Sequence, residues 1–225
     1  MTSGYDPPTA ARLAAAGDDA LRAFARRSEP IDSLAEQADA VASACHAMAV
    51  RFHQGGKLVV FGTGGASTDA QHVAVEFVHP VIVGKRALPA ISLTTDIATV
   101  TGIAENECTD AIFAHQLRQL ASPADIALGI SADGDSGAVL AGLETASSLG
   151  LLTVALVGRP QGVGEPVGKH SGRIAASGAV EHLLAVASDD PRVIKEVHVT
   201  IYHILWELVH VFFEQPGVLD PGAVR

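Results

Sequence analysis

Positive charge is scarce in this sequence. Fifteen Lys and Arg stand against twenty-five Asp and Glu, for a formal net charge of −10. Nucleic acid and anionic membrane are therefore not expected partners, since both are held by clustered cations. Cysteine is scarcer still. Cys45 and Cys108 form no CxxC pair, so neither a disulfide framework nor a thiolate metal site is implied. Aromatics make up only 4% of the residues, which leaves Ala, Val, Leu and Ile to build the core. No apolar run is long enough to cross a membrane, and the opening MTSGYDPPTAAR lacks the charged-then-apolar pattern of a secretion signal. The expected location is cytoplasmic.

Apolar residues are plentiful. A hydrophobic content of 48% and a mean hydropathy of +0.29 over 225 residues predict one sizeable α/β domain with added helices. Residues 10–27 form an alanine-rich helix that Glu29-Pro30 interrupts, and a second helix runs from Asp32 or Ser33 to about His53. Strands are expected at 58–61, 89–93, 125–130 and 151–158, with a fifth at 173–176 or 182–187. Helices alternate with them, at 97–104, 109–120 and 138–149, and a long one at 192–213 is opened by Asp189-Asp190-Pro191 and stopped by Pro216-Gly217. Residues 159–168 form a Pro/Gly-rich loop. Continuous apolar strands between helices predict a parallel sheet covered on both faces, with ligands bound outside the strands' carboxyl ends.

The rest of the chain is arranged around KLVVFGTGGASTDAQHVAVE, residues 57–76. A β-branched strand breaks at Gly62, turns through Thr63-Gly64-Gly65 and becomes a helix from about Ala66. Backbone N–H groups at such a turn, together with the helix N-terminus, favour an anion. The turn does not have the dinucleotide spacing GxGxxG, so no nucleotide cofactor is expected. His72 and Glu76, four residues apart, project from one helical face. The last helix, KEVHVTIYHILWELVHVFFE, carries His198, His203 and His210 in a strongly apolar setting. Three histidines there, with Glu196 and Glu207, exceed what packing requires.

These segments carry a resemblance. GTGGASTDAQHVAVEF, LPAISLTTDIATVTGIAENE, GISADGDS and VIKEVHVTIYHIL resemble, in order, the GNGGSxxDAxHxAxEL, PALALTTDxSxLTAIAND, GISTSGNS and RIQExHIxxIHIL segments of phosphoheptose isomerases in the sugar isomerase (SIS) domain superfamily. The match covers residues 35–210. It implies a flavodoxin-like three-layer sandwich with a five-stranded parallel sheet, residues 31–215. A helical extension (1–30) and a short tail (216–225) flank it. It also implies a homotetramer with sites between subunits and a sugar phosphate as small-molecule substrate, converted between ketose and aldose through an enediol. Carried over by position, Glu76 matches the general base and His203 the general acid, while His72, Glu76 and His203 match a zinc site. Thr63, Gly64, Gly65, Ala66, Asp69, Asp96, Ser131, Ala132, Asp133, Ser136 and Lys195 fall at substrate-binding positions. The alternative is a non-catalytic SIS-domain protein that binds a sugar phosphate or bridges partners.

The chain departs from that pattern at its anion loops. Ala66 stands for a serine, Ala132 and Asp133 for two hydroxyl residues, Asp135 for an asparagine, and Lys195 for a glutamine. Asp133 and Asp135 are expected to place two like charges at the phosphate's seat. At an effective dielectric of about 20, one such contact at ~4 Å is unfavourable by about 4 kcal/mol. Lys195 would offset part of this if it reached the same pocket, but a protonated lysine cannot ligate a metal. The carboxylate–imidazole pair is expected to meet across neighbouring copies of the molecule.

Overall fold

The computed structural model describes residues 9–158, 172–215 and 217–219. The Pro/Gly-rich loop at 159–168, the first eight residues and most of the 216–225 tail lie outside that set. Five strands form one all-parallel sheet: β1 (Leu58–Gly62), β2 (Ala90–Ser92), β3 (Ile126–Ser131), β4 (Leu152–Val157) and β5 (His182–Ala185). Their order is β2-β1-β3-β4-β5, the flavodoxin-like order, which reverses direction between β1 and β3. The helices are α1 (Ala10–Ala35), α2 (Ala38–His53), α3 (Gly65–Val78), α4 (Ile97–Asn106), α5 (Ile112–Leu120), α6 (Gly137–Ser148), α7 (Arg173–Ala176) and α8 (Pro191–Glu214).

Side-chain alternation along the strands builds the three layers. Leu58 and Val60 of β1, Ile126, Leu128 and Ile130 of β3, and Val154 and Leu156 of β4 point to one side, into a core completed by α2, α3 and α8. Val59, Phe61, Ala127, Ala155 and Val157 point to the other, against Ile103, Phe113, Leu117, Val139 and Leu143 of α4, α5 and α6. Every residue of β1, β3 and β4 is buried, as a parallel sheet covered on both faces requires. Each fully buried aliphatic side chain contributes roughly 1.5–3 kcal/mol of transfer free energy.

One expectation is corrected and one open alternative is decided. Pro30 does not end the first helix, because α1 continues through it to Ala35. A proline removes one N–H···O bond and crowds the preceding turn, yet here Arg27 clamps the helix to α8, its Nε and Nη2 donating to Glu196 at 2.6 and 2.7 Å. The chain turns at Gln37 instead. Its Nε2 donates to the Ala185 carbonyl at 2.9 Å and its Oε1 accepts from the Ala185 N–H at 3.3 Å, which occupies the outer edge of β5. The fifth strand is 182–185, while 173–176 is a single helical turn.

The layering places the site. Both β1 and β3 end in polar loops at the point where the strand order reverses, and α3 and α8 both start at that edge and run side by side on one face.

Candidate active site

The β1–α3 turn is tight for a definite reason. Gly64 has φ +57°, a left-handed conformation that favours glycine. A Cβ on Gly62 would lie 2.9 Å from the Ile130 carbonyl oxygen and 2.8 Å from the Ala66 Cβ. No side chain caps the first turn of α3; the N–H groups of Ala66 and Ser67 meet only the Thr63 and Gly64 carbonyls, both at 3.1 Å, and the positive end of the helix lies at the cavity that Gly65 and Ala66 line.

Lys195 lies beside that helix end. Its Nζ donates to Asp69 Oδ1 at 2.7 Å, to the Gly65 carbonyl at 3.0 Å and to Thr68 Oγ1 at 3.1 Å. Asp69 is buried, and this ammonium keeps its carboxylate paired, as a buried charge requires. Thr63, Gly65, Ala66, Asp69, Ala132 and Lys195 line a cavity of about 330 Å³, together with Pro191, Arg192 and His198. Sequence reasoning assigned those first six. It noted His198 only as a member of a histidine-rich helix, and it missed Arg192, whose guanidinium is tied to Asp190 at the start of α8. His198 is 2% exposed, and its Nε2 has no partner among the described residues. Burial pushes its imidazole down to about 4, against a smaller upward pull from a hydrogen bond with the Val157 backbone. The ring is neutral near pH 7.

One turn further along the same two helices, three potential ligands converge. The donor atoms of His72, Glu76 and His203 all lie within 4.8 Å of one another. They do so inside one chain. The expectation that the pair forms across copies is thereby corrected, and the reason is geometric: α3 and α8 start at the same sheet edge and pack side by side, so residues one to two turns in from each N-terminus face each other. His72 Nε2 lies 3.2 Å from Glu76 Oε1. Its Nδ1 lies 2.8 Å from the hydroxyl of Tyr202. The His72 and His203 rings meet edge to face at 5.2 Å. Tyr202 is fully buried; burial, and then the nearby Asp69 and Glu76 carboxylates, push its phenol well above its ordinary value.

Two imidazoles and a carboxylate are the donor types zinc accepts, and tetrahedral ligands at ~2.1 Å from the ion stand about 3.4 Å apart. The spacing fits a divalent cation after a small inward shift. Lys195 is committed to Asp69 and does not join these ligands, so a cation here would have three protein ligands and an open position. Among the described residues no other group of three His, Cys, Asp or Glu side chains is placed to hold a metal.

The β3–α6 loop corrects a second expectation. Asp135 turns away from the anion seat, its Oδ1 accepting from the Arg173 N–H at 2.7 Å. Asp133 folds onto its own loop, where Oδ1 accepts from Ser131 Oγ at 2.9 Å and from the Asp135 N–H at 3.0 Å. Ser131 Oγ in turn accepts from the N–H groups of Gly134 and Ser136, at 3.1 and 3.4 Å. The N–H groups of Gly134, Asp135 and Ser136 are thus satisfied from within the loop. Ser136 also meets Thr63 Oγ1 at 3.2 Å, which joins the two loops. Asp96 is placed elsewhere: it caps α4 through the N–H groups of Ala98 and Thr99 and lines a separate hollow with Ser92, Thr95 and His115. His210 is a hydrogen-bonded core residue between the Trp206 and Arg86 carbonyls, so of the three helix histidines only His203 joins the cluster with His72 and Glu76 and only His198 faces the cavity.

Comparison with known proteins agrees with this architecture. The SIS domain family model matches residues 24–158. A phosphoheptose isomerase of Solidesulfovibrio magneticus is 40% identical over 187 residues, 83% of this chain and 85% of that relative. One of Desulfovibrio desulfuricans is 37% identical over 188 residues, 83% of this chain and 84% of the relative. Among solved structures, phosphoheptose isomerase from Neisseria gonorrhoeae superposes with a TM-score of 0.74 at 26% identity, over 86% of this chain and 97% of that one. The Francisella tularensis enzyme gives 0.73 at 29% identity, over 87% and 98%. The chain belongs to the SIS domain family and, within it, to the phosphoheptose isomerase family.

Proposed function

We propose that this protein is an aldose–ketose isomerase acting on a sugar phosphate, with sedoheptulose 7-phosphate to D-glycero-D-manno-heptose 7-phosphate as the leading reaction. The observation that carries this is the meeting of Glu76 and His203 in one chain, beside an anion-sized cavity at the start of α3. Glu76 takes a proton from the hydroxyl-bearing carbon next to the ketone. His203 gives a proton to the ketone oxygen, and an enediol forms. Loss of the neighbouring hydroxyl proton and return of the carbon-bound proton to the former ketone carbon complete the aldose. The phosphate is held against the amides that open α3, next to the Lys195 charge, about one to two helical turns, or 5–10 Å, from the triad. A divalent cation bound by His72, Glu76 and His203 would polarise the carbonyl.

A homo-oligomer, tetrameric as in the resemblance, belongs to the same proposal. α1 presents Leu13, Leu21 and Phe24 to solvent at 59%, 68% and 72% exposure, an apolar stripe that a second copy would cover. Of the described residues, no helix is long and apolar enough to cross a membrane, which is compatible with a cytoplasmic place. The self-satisfied 131–136 loop favours the second reading, a protein that binds a sugar phosphate without turning it over.

One assay separates them. Incubation with sedoheptulose 7-phosphate should yield the aldose, and Glu76→Gln should lower kcat by about 10²–10⁴-fold with KM little changed. Undiminished turnover in that variant removes Glu76 as the base, and absence of turnover with retained binding establishes the second reading.

A further inference from the structure

The mechanism above gives Tyr202 no part, yet its hydroxyl makes one of the shortest side-chain contacts in the site, 2.8 Å from His72 Nδ1. A buried phenol needs a hydrogen-bond partner. Among the described residues this one has only His72. The same imidazole reaches Glu76 Oε1 with its other nitrogen, at 3.2 Å. His72 is therefore held at both ring nitrogens by groups on two different helices, with the Tyr202 ring also packed edge to face against it at 5.2 Å and against His203 at 5.0 Å.

We propose that Tyr202 is the positioning residue of this site, fixing through Nδ1 the orientation of the His72 ring so that Nε2 faces Glu76 and His203. The proton count supports this. A neutral imidazole has one N–H and one acceptor nitrogen. With the phenol donating to Nδ1, the ring proton sits on Nε2 and points at the Glu76 carboxylate. That bond engages Oε1 and orients the carboxyl group without neutralising it. A cation held at Nε2 would require the ring proton on Nδ1, where the Tyr202 oxygen would accept it. One hydroxyl, able both to donate and to accept, thus serves both states without moving the ring.

Among the described residues no other side chain bonds His72 Nδ1. His72 is about 39% exposed at its side chain, so without the phenol the ring is free to turn about χ2 and exchange its two nitrogens. Outer partners of ligating histidines typically change metal affinity by 10–100-fold when removed. Tyr202→Phe keeps the packing against both rings and removes only the oxygen, so a change in that variant reports the hydrogen bond.

The experiment uses the full chain, metal-free and then titrated with zinc, and needs no substrate. Its outcome is independent of the isomerase reading, so failure of one does not imply failure of the other. Nitrogen-15 NMR of the imidazoles, with His72 identified by its loss in His72→Gln, should show Nδ1 of metal-free wild type as an unprotonated, hydrogen-bonded nitrogen. In Tyr202→Phe that signature should vanish, and zinc should bind about 10–100-fold more weakly while the melting curve stays cooperative. An Nδ1–H form in metal-free wild type, or His72 signals and zinc affinity both unchanged in Tyr202→Phe, overturns the proposal. If neither protein binds zinc, the NMR arm alone decides.

Discussion

At the 72–76–203 end of the site, polar side chains from α3 and α8 face one another across an opening, and His203 is exposed. In loop 131–136 the opposite holds, because Ser131 and Asp133 already satisfy the N–H groups of Gly134, Asp135 and Ser136. One end is poised to receive a ligand and the other is closed on itself. The difference arises from how each is built. Side chains projecting from two rigid helices cannot reach their own backbone N–H groups, whereas Asp and Ser in a turn can, and do so readily. A substrate phosphate would therefore find its positive partners on the α3 side of the cavity, at Lys195 and the helix start, more readily than in the loop.

Three substitutions test this contrast, from the largest expected effect to the smallest. His198 lies between the two ends, buried and with its pKa pushed down to about 4. The unfolded chain takes up a proton below about 6.5, while the folded state does so only near 4. Stability is then complete above about 6.5 and falls as the pH drops toward 4, by about 2–3 kcal/mol at pH 4.5. Urea midpoints at pH 7 and 4.5 should fall less in His198→Leu than in wild type by that amount. Equal falls would mean the cavity floor is wet.

Lys195→Met removes the only cation bonded to the buried Asp69 carboxylate among the described residues. Breaking a buried pair costs about 3–5 kcal/mol, and the half-exposed lysine reduces this to roughly 1–3 kcal/mol. The sugar-phosphate KM should rise about tenfold, since a charge near the phosphate is worth on the order of 1–2 kcal/mol. A fall in kcat with unchanged KM would place Lys195 at the chemical end and break the division between the two regions.

Asp133→Ser opens the loop. It removes one negative charge and frees the Asp135 N–H, so sugar-phosphate binding, measured by calorimetry, should tighten by about three- to tenfold. Weaker binding would show that Asp133 organises the loop for the ligand instead of filling its seat.

Much of this was legible in the sequence because it depends on local pattern. The apolar runs at 58–61, 125–130 and 151–158 gave three strands to within a residue or so, and the glycine turn with His72 and Glu76 one face apart set the helix face. Pro30 misled, since a proline's local preference was overridden by the packing of α1 on α8 through Arg27 and Glu196. Segments 173–176 and 182–185 compete in the sequence for the fifth strand, as both are short and apolar and only pairing with β4 distinguishes them. Tyr202 gave no signal, because an apolar-looking helix position reveals nothing of a hydroxyl's partner 130 residues away.

The sequence by itself determined the parallel α/β class, the glycine turn at 62–65 and the shared helical face of His72 and Glu76. Each follows from periodicity or residue chemistry within one element. The tertiary structure alone decided that Glu76 and His203 meet inside a single chain, that Lys195 is tied to Asp69, and that Asp133 and Asp135 turn onto backbone N–H groups. Those outcomes depend on which helices share a sheet face and on side-chain torsions of a few residues, and neither is encoded in spacing along the chain.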